Sequence, residues 1–212
     1  MVKYLFILFN FAFAVVTVGP DGPPTYHFAT IQGAIDSVTV NPIDIDIEVY
    51  PNPANHTENL LIEAHMNISS VGGADVTIID GGRTLNSTIV IRPASNSPVK
   101  PNVNINGFTI RNGTGTDIER EIDTPDGPQT ITEKVGGGLF VYVNSPTVNN
   151  CKFLGNGNND IDKGGAVFAA SGGDDIGFPD RDHYQDHPDL EPATGTLDFS
   201  NNTFLGNEAK QG

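Results

Sequence analysis

The chain has 212 residues, with 11 Lys and Arg against 26 Asp and Glu, for a formal net charge of −15. A hydrophobic share of 37%, with 24 Gly, 15 Pro and no Trp, is poor material for a helical bundle and good material for many short strands joined by turns. The acidic balance excludes a nucleic-acid partner, because nothing offsets repulsion from phosphates, and it leaves room for divalent cations held by clustered carboxylates.

Taken from the N-terminus, Lys3 is followed by the apolar run YLFILFNFAFA, which ends on the small-x-small pattern Ala12-Phe13-Ala14. That order of a basic residue, an apolar stretch and small residues predicts a cleavable export signal over residues 1–14 and a mature chain over 15–212. The run is too short for a membrane span, so no transmembrane helix is expected in the mature chain and its location is expected to be secreted, extracellular or on the outer cell surface. One helix follows. Phe28, Ile31, Ala34, Ile35 and Val38 recur at spacings of three and four and form an apolar stripe.

The period then changes to two. Ile43, Ile45, Ile47 and Val49 alternate with Pro42, Asp44, Asp46 and Glu48, the pattern of a strand with one buried face. Further short strands are expected over 60–62, 68–71, 76–79 and 89–91, each bounded by Gly, Asn, Asp or Pro. No second helical pattern appears, so alternating βαβ units are not expected and an all-β chain is.

Internal repetition carries the most information. VNINGFTIRNG from Val103, PTVNNCKFLGNG from Pro146 and TLDFSNNTFLGNE from Thr196 align without gaps over their inward positions. Ile105, Phe108 and Ile110 match Val148, Cys151 and Phe153, and again Phe199, Asn202 and Phe204. Two glycine-rich openings, GGGLFVYV from Gly136 and GGAVFAAS from Gly164, lie between them. A unit this short cannot bury its own apolar face, so copies are expected to stack into a solenoid, with Ile110, Phe153 and Phe204 in one interior column. Residues 113–135 and 171–194 are read as insertion loops, and 118–133 as a charged surface loop. Asn150 with Asn201, and Asn156 with Asn207, hold equivalent places, and ladders between copies are expected of both pairs in preference to a sugar-binding row. Cys151 is the single cysteine and reads as a small buried side chain.

The acidic insertion GGDDIGFPDRDHYQDHPDLEP from Gly172 holds the strongest candidate site residues. Asp180, Asp182, Asp186 and Asp189 offer hard oxygen ligands suited to Ca²⁺, the one cofactor the chain suggests, and the plain alternative is a solvated acidic loop. His183 and His187 lie four apart, but Pro179 and Pro188 oppose a long helix there.

The run VGPDGPPTYHFATIQGAIDSV, followed by IDIEVYPN and then TIIDGG, resembles the opening of pectin-lyase-like proteins. GGAV at Gly164 and FLGNEAKQG at Phe204 resemble the repeat of polymorphic outer-membrane proteins. The resemblance implies an all-β fold, a right-handed parallel β-helix with a short N-terminal capping helix, C-terminally incomplete because the chain stops at Gly212 where another Gly-Gly strand is due. It implies a secreted or cell-surface scaffold, structural, adhesive or carbohydrate-binding, with an extracellular polysaccharide or surface glycan as partner and anchoring by a missing C-terminal region. The alternative is the N-terminal part of a polysaccharide lyase or glycoside hydrolase whose catalytic residues are unknown. Asp174 and Asp175, with Asn159 and Asp160, resemble the paired aspartates of polygalacturonases. The Gly-His-Gly and Arg-x-Lys elements of that family are missing, as are the pectinesterase aspartate motifs, so enzymatic activity of this stretch is not expected. An uncovered last coil is expected to fray and self-associate, whereas the helix protects the other end.

Overall fold

A computed structural model describes residues 15–39, 45–94, 100–142, 144–170, 176–177 and 197–210. These residues form short strands and one helix, most of the strands lying in three parallel sheets. The expected all-β class therefore holds at that level. The first sheet is β1 (Val15–Val18), β2 (Ile45–Val49), β5 (Met66–Ser70), β8 (Val103–Asn106), β13 (Thr147–Asn149) and β17 (Asp198–Ser200), in that spatial order. The second is β3 (His56–Thr57), β6 (Ile78–Asp80), β9 (Thr109–Arg111), β14 (Lys152–Leu154) and β18 (Thr203–Leu205), and the third is β4 (Leu60–Ile62), β7 (Ile89–Ile91), β12 (Leu139–Tyr142) and β15 (Val167–Ala170). From β2 onward the chain visits first, second and third sheet in the same cyclic order, so each strand pairs with the strand one circuit away.

The register of those pairs is the register of the repeat. Val148 pairs Ile105 on one side and Phe199 on the other, and Phe153 pairs Ile110 and Phe204. The second-sheet column continues through Ile79 to His56. Strands of two to five residues suffice because alternate side chains from all three sheets meet in one apolar cluster, with Ile47, Ile68, Ile110, Ile91, Val141 and Phe153 at 2% exposure or less. Burying one such Ile or Phe contributes about 1.5–3 kcal/mol. Phe153 and Phe204 stack with ring centroids 5.0 Å apart and planes 7° from parallel. Phe204 itself is 51% exposed, since no strand among the described residues covers β18 on its far side.

Helix α1 (Ile31–Thr39) turns its apolar stripe inward, with Ile31, Ala34, Ile35 and Val38 buried, and packs against β1, β2 and β4. Its first turn is satisfied twice. Thr30 Oγ1 accepts from Gly33 N at 3.2 Å, and the Glu58 carboxylate accepts from Ile31 N and Gln32 N, both at 2.9 Å. Gln32 then serves the edge of the third sheet: its Oε1 accepts from Leu61 N at 2.8 Å and its Nε2 donates to Leu61 O at 3.2 Å. A side-chain amide thus stands where a neighbouring strand would. Phe28 does the same for β1, through Phe28 N to Thr17 O and Gly19 N to Phe28 O.

The turns explain two features of the repeat. Gly107, Asn150 and Asn201 all carry positive φ (83°, 54° and 56°) at the corner leading from the first to the second sheet. Asn is the non-glycine residue that tolerates this region best, so the expected ladder between Asn150 and Asn201 is replaced by a backbone role. The Asn150 side chain donates to Asn106 Oδ1 at 2.7 Å instead. The other pair does form a ladder: Asn156 Nδ2 donates to Asn207 Oδ1 at 3.0 Å and to Ile110 O at 2.9 Å, while Asn156 Oδ1 accepts from Gly113 N at 3.2 Å. The glycine-rich openings lie where backbones nearly touch, and a Cβ on Gly137 would collide with the Gly165 carbonyl oxygen and the Gly157 nitrogen.

The insertion after β9 is not a charged loop. Residues 116–135 form an antiparallel hairpin of β10 (Thr116–Thr124) and β11 (Gly127–Val135), turned at Pro125 and Asp126, and β16 (Ile176–Gly177) pairs with β10 on its other edge. Alternation decides this: Ile118 and Val135 face inward onto Val90, Phe140 and Tyr142, an apolar patch on the outer side of the third sheet. Among the described residues no helix is long and apolar enough to cross a membrane.

Candidate functional site

The inward residues of the first sheet fix what faces out. Because side chains alternate along a strand, Asp46 and Glu48 of β2, Asn67 and Ser69 of β5, Asn104 and Asn106 of β8, Thr147 and Asn149 of β13, and Asp198 and Ser200 of β17 share the opposite face. Register aligns them into two rows. One runs Asp46, Asn67, Asn104, Thr147, Asp198 and the other Glu48, Ser69, Asn106, Asn149, Ser200. Neighbours within a row stand about 4.8 Å apart and the rows about 7 Å apart, from strand spacing and rise.

All ten side chains are polar, and none is Lys or Arg. Hydrogen bonds hold several of them in place: Asn67 Nδ2 donates to Asp46 Oδ1 at 2.8 Å, Asn104 Nδ2 to Asn67 Oδ1 at 2.5 Å, and Ser200 Oγ to Asn149 Oδ1 at 2.6 Å. The face therefore offers ordered amide, hydroxyl and carboxylate groups on a flat, rigid support. Donors and acceptors of this kind can pair with hydroxyl groups. The face contains no nucleophile paired with a base and no cation to stabilise a developing negative charge.

Several carboxylates elsewhere among the described residues are engaged in holding the fold. Asp80 is 8% exposed; burial raises its pKa, but hydrogen bonds from Asn112 Nδ2 at 2.9 Å, Gly82 N at 2.9 Å and Arg111 Nε at 2.8 Å, with the guanidinium charge, outweigh this and hold it below its ordinary value. Glu133 on β11 accepts from Lys163 Nζ at 2.8 and 2.9 Å and from Arg120 at 3.3 Å, tying the hairpin to the body. Asp162 is held low first by the Lys134 backbone N–H and then by Lys210. Burial pushes the Cys151 thiol up, against opposing hydrogen bonds from the Phe108 and Gly107 backbone, and its Sγ donates to Asn149 O at 3.2 Å. The small buried role read for this cysteine is the one it has.

Asp180, Asp182, Asp186 and Asp189 lie outside the described residues, as do Asp174, Asp175, His183 and His187 and the segment 1–14. Asn159 and Asp160 are exposed on the turn after β14, where Asp160 N donates to Asn158 Oδ1 at 2.8 Å. Among the described residues no group of three or more His, Cys, Asp or Glu is placed to hold a metal ion. The outward rows were missed by reading only the apolar positions. Their signal is present in the triplets Asp-Ile-Glu, Asn-Ile-Ser, Asn-Ile-Asn, Thr-Val-Asn and Asp-Phe-Ser, each with polar residues on both sides of an inward one. The chain matches no family model, no curated protein and no solved structure.

Proposed function

We propose that this chain is a right-handed parallel β-helix, exported from the cell, whose first sheet presents a binding surface for an extracellular polysaccharide or cell-surface glycan. Three sheets visited in one cyclic order, with inward columns shared from circuit to circuit, support the solenoid reading. The resemblance of the opening run to pectin-lyase-like proteins and of the Gly-Gly units to outer-membrane repeats supports export and a surface role, with anchoring by a region beyond this sequence. The observation that carries the binding role is the double row of ordered polar side chains, spaced regularly enough to engage successive units of a polymer.

Binding to insoluble polysaccharides and to an immobilised glycan panel tests this reading. Retention of the wild-type chain is expected, with at least a tenfold loss for the double substitution Asn106→Lys and Asn149→Lys, which places cations within a face that has none. Equal retention of wild type and double variant excludes the face as the binding surface. Turnover of polygalacturonate by the purified chain would replace the scaffold with a lyase or hydrolase. The Ca²⁺ reading of Asp180, Asp182, Asp186 and Asp189 is tested separately by calorimetry, where Asp180→Asn with Asp182→Asn abolishes the uptake expected of wild type.

A further inference from the structure

Five Asn-x-Ser/Thr triplets occur in the sequence, at Asn55, Asn67, Asn86, Asn112 and Asn201. The triplet is the acceptor pattern for N-linked glycosylation, in which the Asn Nδ2 attacks C1 of a lipid-linked saccharide. A C1–N bond forms, the C1–O bond to the polyprenyl pyrophosphate breaks, and one amide proton leaves. The pattern alone is common, but the fold divides the five into two groups.

Asn67 and Asn112 use the amide nitrogen that would carry the sugar. Asn67 sits in mid-strand on β5, donates to Asp46 Oδ1 at 2.8 Å and accepts from Asn104, as one member of a row on the outward face. Asn112 Nδ2 donates at 2.9 Å to Asp80, which is 8% exposed and also bound by Arg111. A saccharide on either would be forced between groups already in contact.

The other three are placed differently. Asn86 is exposed in the connection from β6 to β7, beside Leu85 at 86% exposure; its Oδ1 accepts from Ser87 N at 2.9 Å and Thr116 Oγ1 at 2.7 Å, which orients the amide, and among the described residues nothing accepts from its Nδ2. Asn55 and Asn201 stand in connections from the first to the second sheet, with positive φ of 63° and 56°, and neither side chain has a hydrogen-bond partner among the described residues. Each lies in a connection between strands, Asn86 and Asn201 exposed and Asn55 half-buried, where a bulky polar group is accommodated without crossing a strand pair. None of the three belongs to the two polar rows of the first sheet.

We infer that Asn55, Asn86 and Asn201 are N-glycan acceptor sites of the exported chain, whereas Asn67 and Asn112 stay unmodified in the folded protein. The inference rests on the export reading. It adds that sugar is carried at the corners of the fold while the outward face of the first sheet stays bare.

The test is secretion of the full chain from a eukaryotic cell line, digestion of the recovered protein with peptide N-glycosidase in heavy-oxygen water, and peptide mass spectrometry to find which Asn becomes labelled Asp. Label at Asn55, Asn86 and Asn201 is expected, with one step of gel mobility lost for each of Asn55→Gln, Asn86→Gln and Asn201→Gln. Secreted protein unlabelled at all three, or labelled at Asn67 or Asn112 while it retains a native thermal transition, overturns the inference and leaves export standing. If the chain is retained in the cytosol, the export reading fails. The same chain behind an established leader then decides the acceptor assignment, by label at the three turn positions or its absence there.

Discussion

At the scale of single residues, Phe153 carries the most testable weight. It is fully buried, pairs in register with Ile110 and Phe204, and stacks on the latter. Phe153→Ala is expected to destabilise the fold by about 3–5 kcal/mol in chemical denaturation, and a loss under 1 kcal/mol would show that the column collapses around the gap. Phe204→Ala, half exposed at the end of the same column, should cost clearly less. Asp80 gives the pH dependence. Its folded pKa is depressed, so its contribution is fully present above the unfolded carboxylate value of about 4 and is lost as pH falls through the lower folded value. Asp80→Ala leaves Gly82 N and Asn112 without their acceptor and is expected to cost about 1–3 kcal/mol at neutral pH. The acid limb of the stability curve below about pH 4 should flatten in that variant, as followed by thermal melts from about pH 6 down to about pH 2.

At the scale of elements, the strands of the repeat were legible because three copies keep one spacing between inward residues, and pairing follows that spacing. The hairpin of β10 and β11 was not. Its alternation is carried by Ile118, Arg120 and Ile122 against Asp117, Glu119 and Glu121, so charge masks the period of two, although Pro125-Asp126-Gly127 is a turn signal in plain view. What the hairpin covers is legible only in three dimensions: Leu61, Val90, Phe140 and Phe168 align across four strands on the outer side of the third sheet, and sequence shows no reason for an apolar row to face away from the core. Ile118→Ala, which uncovers that row, is expected to cost about 2–5 kcal/mol, whereas Gln129→Ala near the exposed tip should lie within about 0.5 kcal/mol of wild type. A matched loss at both positions would mean that the hairpin is stabilised along its length and not by its seat on the sheet. The outward polar rows were likewise readable in principle, since every apolar position that fixes an inward side chain fixes its neighbours outward.

At the scale of the whole molecule, the two ends differ. At one, α1 packs against β1, β2 and β4, and Gln32 and Phe28 satisfy the outer edges of β4 and β1. At the other, β15, β17 and β18 are the last strands of their sheets among the described residues, and Phe204 and Leu205 are 51% and 68% exposed. Amide exchange is expected to be slowest in β5, β8 and β9 and fastest in β17 and β18, and light scattering should detect association that Phe204→Asp suppresses. Uniform protection from β5 to β18 in a monomer would show that the exposed end is held by contacts beyond those described.

The Gln32 amide gives the molecule a direction. Bonded at once to the N–H and the C=O of Leu61, it occupies the places that an incoming peptide would need in order to extend the third sheet on that side. Strand capture between molecules is therefore blocked at β4, whereas β15, β17 and β18 carry edges that no strand among the described residues covers. Replacing Gln32 with Leu would remove that terminator and open the β4 edge to strand capture.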